Sequence, residues 1–151
     1  MKLMDFLIPD AVEPNMKSTN KTDAIKELVA LLKSAGVISD YDAVAKAILD
    51  REELGSTGIG EGIAVPHGKS ELVDKVIAAF GRSEKGIDFQ SEQDNIPARL
   101  IFLLVAPAGS SGPHLLALAR ISRLLRSKEF REKLLKSKSK SEIIEIFRSE
   151  D

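Results

Sequence analysis

Seven consecutive apolar residues, Leu100 to Ala106, run up to Pro107 and leave few structural options. The run is far too short to cross a bilayer, which takes about 20 residues as a helix. It does not alternate with polar residues, so a strand over Arg99 to Val105 must be covered on both faces and belongs in the middle of a sheet. A second apolar stretch, Val76 to Phe80, reads as another strand. Ile25, Leu28, Val29 and Leu32 recur at helical spacing after Asn20, an N-cap residue type, and Gly36 supplies a stop. Tyr41, Val44, Ala45 and Ile48 make a second helical face behind Ser39 as cap, running out near Gly55. Leu115, Leu118, Ile121 and Leu125 follow Pro113, a good first-turn residue. Ser139-Lys-Ser-Glu142 is a capping-box pattern before Ile143, Ile146 and Phe147. The expected fold is therefore α/β, a mixed sheet flanked by helices on both faces. No repeat or linker divides residues 1–151, so one compact domain is expected; at this length folding buries roughly 68–70% of the chain's surface.

The remaining composition removes several functions. The net charge is -1, with no tryptophan and one tyrosine. Neither the electrostatic attraction nor the stacking platforms for nucleic acid are present. Without cysteine there are no disulfides, thiolate metal sites or cysteine nucleophiles, and a reducing cytoplasmic setting suits the chain. The apolar N-terminal segment is interrupted by Asp5 and Pro9 and does not resemble a signal peptide.

Chemistry concentrates around two histidines. Gly55-Ser-Thr-Gly58-Ile-Gly60-Glu-Gly62 puts four glycines in eight residues, and Ile63-Ala-Val65 then leads to Pro66-His67-Gly68. His114 follows Gly112-Pro113, in the first turn of an expected helix. A neutral imidazole is a nucleophile at neutral pH, since its ordinary pKa is about 6.5. A phosphoryl group transferred to it needs donors and positive charge around its oxygens. A glycine-rich loop and a helix N-terminus both offer backbone N–H groups, and Arg51 could add a bidentate guanidinium. Other readings of the run fail. Gly58-x-Gly60-x-Gly62 is not a dinucleotide fingerprint, and five residues separate Gly62 from Gly68 where a P-loop requires four. His67, His114 and Glu61 could only form a metal site if the fold gathered them, and Arg51 and Glu61 could equally be a surface ion pair. The basic residues between Arg120 and Lys140 are interleaved with apolar ones, as on a solvated helix face.

The run from Arg51 through His67 to Lys69 closely resembles the signature of the fructose/mannitol/nitrogen-type EIIA proteins of the bacterial phosphotransferase system. The strand at Leu100 and the segment after His114 are similar to that family too. This resemblance implies a phosphotransferase with a phosphohistidine intermediate at His67, and with His114 as second active-site histidine. It implies that Arg51 stabilises the phosphoryl group and that Glu61 helps to hold the site's polar network. No cofactor and no metal are expected. The implied donor is phospho-HPr and the acceptor a sugar-specific EIIB, at most peripheral to a membrane permease. A nitrogen-branch regulator that binds proteins according to its phosphorylation state is the alternative. A carrier serving two proteins should present His67 in a shallow depression, bordered by Ile59, Gly60, Ile63, Gly68, Pro113 and Leu115.

Overall fold

The computed structural model describes residues 1–151. Six strands form one mixed sheet: β1 (Leu7–Glu13), β2 (Gly58–Gly60), β3 (Ile63–Ala64), β4 (His67–Ser70), β5 (Ile77–Ile87) and β6 (Ala98–Pro107). The order is β1-β5-β6-β3-β2, and β4 also pairs with β6, beyond β3 along its length. β5 and β6 are antiparallel, whereas β1 on β5 and β3 and β4 on β6 are parallel. The apolar run is thus the central strand, paired on both sides.

Side chains of β6 alternate between two cores. Leu100, Phe102 and Leu104 face α3 (Gly112–Leu125), α4 (Lys128–Lys136) and α5 (Lys140–Glu150). Ile101, Leu103 and Val105 face α1 (Lys21–Ser34) and α2 (Tyr41–Glu53). Helices on both faces explain why this strand has no polar side. Phe80, Phe102 and Phe147 meet with ring centroids 4.8, 5.2 and 5.6 Å apart, fixing α5 against the sheet.

Several elements differ from the sequence expectation. The cap of α2 is Asp40, whose Oδ1 accepts the Ala43 N–H at 3.0 Å, and not Ser39. β5 runs past Phe80 to Ile87, because its pairing with β6 continues from Arg82 opposite Leu100 to Ile87 opposite Ala98, and the Arg82 guanidinium is taken up by backbone carbonyls of Pro14, Leu134 and Ser137. On α3 the buried face is His114, Ala117, Ile121 and Leu125, one residue out of phase with Leu115 at its start. The sequence pattern predicts none of β1, β2, β4 and α4. At the two ends of the chain, Asp151 accepts the N–H groups of Leu3 and Met4 at 2.7 and 2.9 Å and pairs with Arg120 at 3.2 Å. No helix is long and apolar enough to cross a membrane.

Candidate functional site

The glycine-rich segment folds into a tight hairpin. β2 and β3 are joined by Glu61-Gly62, with φ of 60° and 77°, the positive pair that a two-residue primed turn demands. The N–H groups expected to cradle an anion are used internally. Thr57 donates to Glu52, Gly58 to Ser56 Oγ and Glu61 to Asp94. The glycines instead permit close packing: a Cβ on Gly58 would stand 3.0 Å from Ser91 Cβ and 3.2 Å from Phe89 Cβ.

His67 opens β4, which lies against α2. A Cβ on the next residue, Gly68, would lie 3.1 Å from Ile48 and 3.3 Å from the backbone of Ala47, so glycine lets the strand sit that close. The half-buried imidazole places Nδ1 2.7 Å from the carbonyl oxygen of Val65. A carbonyl only accepts, so Nδ1 carries the proton and the neutral ring keeps its lone pair on Nε2. The His114 ring stands edge-on, with centroids 5.3 Å apart and the planes at 66°. His114 is buried, and its Nδ1 has no hydrogen-bond partner. Around it, the amides of Gly112 and His114 also have no acceptor within the protein, leaving the first turn of α3 with unsatisfied donors.

The electrostatics favour neutral rings. Burial pushes the His67 pKa down, and the Arg51 guanidinium adds to this; the Val65 carbonyl and the Glu52 carboxylate act the other way without prevailing. Burial also lowers His114, helped by His67 and Lys69. Arg51 itself donates from Nη1 to the Gly55 carbonyl at 3.0 Å, which holds the guanidinium over the turn after α2.

The structure therefore brings His67 and His114 together and sets Arg51 where its charge acts on His67. It places Glu61 otherwise: the carboxylate is 69% exposed and 3.6 Å from Arg131, so neither a pair with Arg51 nor a contact with the imidazoles forms. The carboxylate that does act on His67 is Glu52, 5% exposed, which the sequence reading passed over. A signal was available, because Glu52 continues the buried stripe of Val44, Ala45 and Ile48 at helical spacing. No three histidine, aspartate or glutamate side chains gather as a metal site would require.

Ile59, Pro113 and Leu115 are exposed as expected of a docking rim, and Leu54 and Leu116 join them; Gly60, Ile63 and Gly68 are buried. A cleft of about 510 Å³ is lined by Lys21, Glu52, Ser56 and Gln90 and not by His67.

Comparison with known proteins gives the arrangement a context. The family described as phosphoenolpyruvate-dependent sugar phosphotransferase system, EIIA 2, matches residues 5–150. A fructose-specific EIIABC component of Bacillus subtilis is 42% identical over 151 residues, all of this chain but 24% of that protein. A nitrogen regulatory protein of Bradyrhizobium diazoefficiens is 40% identical over 147 residues, 97% of this chain and 94% of the other. The mannitol enzyme IIA of Escherichia coli, solved in complex with its phosphorylated enzyme IIB, superposes with a TM-score of 0.79 at 26% identity, covering 93% of this chain and 95% of that one. The chain thus spans about a quarter of the first relative and nearly all of the second. With residues 5–150 matched by the family and the fold shared with a solved enzyme IIA, the chain belongs to the EIIA family of the phosphoenolpyruvate-dependent sugar phosphotransferase system.

Proposed function

We propose that residues 1–151 act as one phosphoryl carrier, with His67 Nε2 as the atom that accepts and releases the group. The observation carrying this reading is the hydrogen bond from His67 Nδ1 to Val65, which leaves one nucleophilic nitrogen beside a second, neutral histidine. In the first step the Nε2 lone pair attacks the phosphorus of a phosphohistidine on the donor, phospho-HPr. The donor's N–P bond breaks, and its electron pair returns to the donor ring. In the second step an acceptor nucleophile on EIIB takes the phosphoryl group in the same way. The phosphoryl oxygens are met by the Arg51 guanidinium, by the His114 ring, and by the free amides at the start of α3, whose dipole favours negative charge. The chemistry is positioning and electrostatics, so it calls for no metal or cofactor. Exposed Leu54, Ile59, Leu115 and Leu116 are the apolar surface on which transient partners dock. Both steps belong to the cytoplasm.

The downstream acceptor we favour is a sugar-specific EIIB. A second reading is supported by the nitrogen regulatory relative matched along 94% of its length. In it, phosphorylation of His67 switches the binding of regulatory partners. Phosphotransfer from the labelled protein to candidate EIIB domains separates the two.

The test of the shared step is labelling with phosphoenolpyruvate, enzyme I and HPr. Wild type takes up an acid-labile phosphoryl group; folded His67→Ala takes up none, and undiminished labelling there would end the proposal. Arg51→Ala slows uptake on the order of 10²–10³-fold, as loss of a preorganised donor does.

A further inference from the structure

We propose that Glu52 is a positioning residue for this transfer: its buried carboxylate holds the turn that holds Val65, whose carbonyl fixes the His67 ring. The proposal follows a continuous series of hydrogen bonds. Both carboxylate oxygens of Glu52 lie 3.1 Å from the Thr57 amide. The Thr57 carbonyl in turn accepts the Val65 amide at 3.0 Å. The Val65 carbonyl then accepts the proton of His67 Nδ1. The links span five, eight and two residues of chain, and the series begins one residue after Arg51, which anchors the same turn through Gly55. The helix end thus grips the turn twice, by a cation on one carbonyl and by an anion on one amide.

Burying a carboxylate is costly unless it is paired and hydrogen-bonded, so a purely structural need at this position would be met by an apolar residue continuing the stripe of α2. Glu52 is compensated by the Thr57 amide and by Lys21 of α1, whose Nζ is 3.6 Å away. The charged groups that act on the imidazole pair are Arg51 and Glu52 from α2 and Lys69 from β4. Glu52 is the one anion among them, and it opposes the effect of Arg51 on His67. If the turn shifts, the Val65 carbonyl moves off Nδ1. The ring is then free to exchange tautomers and to aim its lone pair away from an incoming phosphorus. Misplacement of a reacting atom by about 1 Å can cost on the order of 10²-fold in rate.

The experiment compares Glu52→Gln with Glu52→Asp in the full chain. Gln keeps the length and one acceptor oxygen but loses the charge. Asp keeps the charge but is one methylene too short to reach the Thr57 amide. The readouts are the ¹⁵N shifts of the His67 ring nitrogens, which report the tautomer, the His67 titration midpoint, and the rate of phosphoryl uptake. We expect Gln to retain the Nδ1–H tautomer, with its midpoint moved further down because the opposing anion is gone. We expect Asp to lose the single tautomer and to slow uptake on the order of 10²-fold. Should Asp not fold, Glu52→Met, which matches the volume and lacks an acceptor, takes its place. Wild-type tautomer ratio in the Asp (or Met) protein, or its loss in the Gln protein, overturns the proposal. The proposal rests on the carrier reading only for its kinetic arm. A wild-type protein that takes up no label would remove that reading, while the ring-nitrogen shifts still decide the role of Glu52.

Discussion

A histidine that must attack phosphorus has two requirements, a lone pair in a fixed place and no proton on it. At His67 the first comes from a backbone carbonyl and the second mainly from burial. The pH consequence has a definite sign. Because the folded pKa lies below the ordinary imidazole value of 6.5, the nucleophilic form persists into mildly acidic solution. Phosphoryl uptake measured from pH 5 to 8 should therefore fall off on the acid side with a midpoint below that of a free imidazole, about 6.5; a midpoint at or above it would contradict this environment. Stability follows the same linkage: the contribution of the neutral rings is complete above the unfolded pKa and is lost as pH drops through the folded one. Glu61 gives a contrasting case. Its φ of 60° is uncomfortable for a side-chain-bearing residue, and Asn is favoured at that turn position. Glu61→Asn should leave uptake unchanged and move stability by no more than about 0.5 kcal/mol, upward, in a denaturant melt. Loss of transfer would restore Glu61 to the site. Arg51 and His67 stand out in the run that ends at Lys69, and His114 behind Gly112-Pro113, and the two rings do meet in the structure. Glu52 does not stand out, since a carboxylate near a helix end reads as solvent-facing until the stripe beneath it is counted. The pairing of Glu61 with Arg131 lies 70 residues away in sequence and leaves no local pattern.

At the scale of elements, β4 matters most, four residues wedged between β6 and α2 with His67 at its head. Its place depends on Gly68. Gly68→Val would drive a branched side chain into Ile48 and the Ala47 backbone, and overpacking of this kind costs about 1–3 kcal/mol. A lowered Tm together with a disordered His67 ring is expected; an unperturbed ring would show that β4 is not held by α2. Helices α1 and α5 were readable from their caps and spacing, and Asn20 and Ser139 do accept the N–H groups of Asp23 and Glu142. The glycine segment misled, because a cluster of glycines marks close backbone approach without saying what approaches. Here what approaches Gly58 is the segment around Phe89 and Ser91. The second half of β5 is hidden in the sequence because Arg82, Ser83, Glu84 and Lys85 look like a surface loop, and only the ladder to β6, from Arg82 opposite Leu100 to Ile87 opposite Ala98, makes them a strand.

For the whole molecule, the two cores share the central pair β5 and β6, so neither can melt while the other stays intact. Phe102→Ala damages one core and Leu103→Ala the other. Each should cost about 2–5 kcal/mol and lower the same single transition. Two separable transitions in calorimetry would mean two folding units instead of one. The clasp of Asp151 onto Leu3, Met4 and Arg120 bears on a different property. It puts entry and exit of the polypeptide at one point on the surface, like a loop of string tied at its neck. Such a unit can be spliced into a larger polypeptide, or freed from one, without stretching the flanking backbone across its body. An EIIA fold is thereby suited both to stand alone and to travel as cargo on a longer chain.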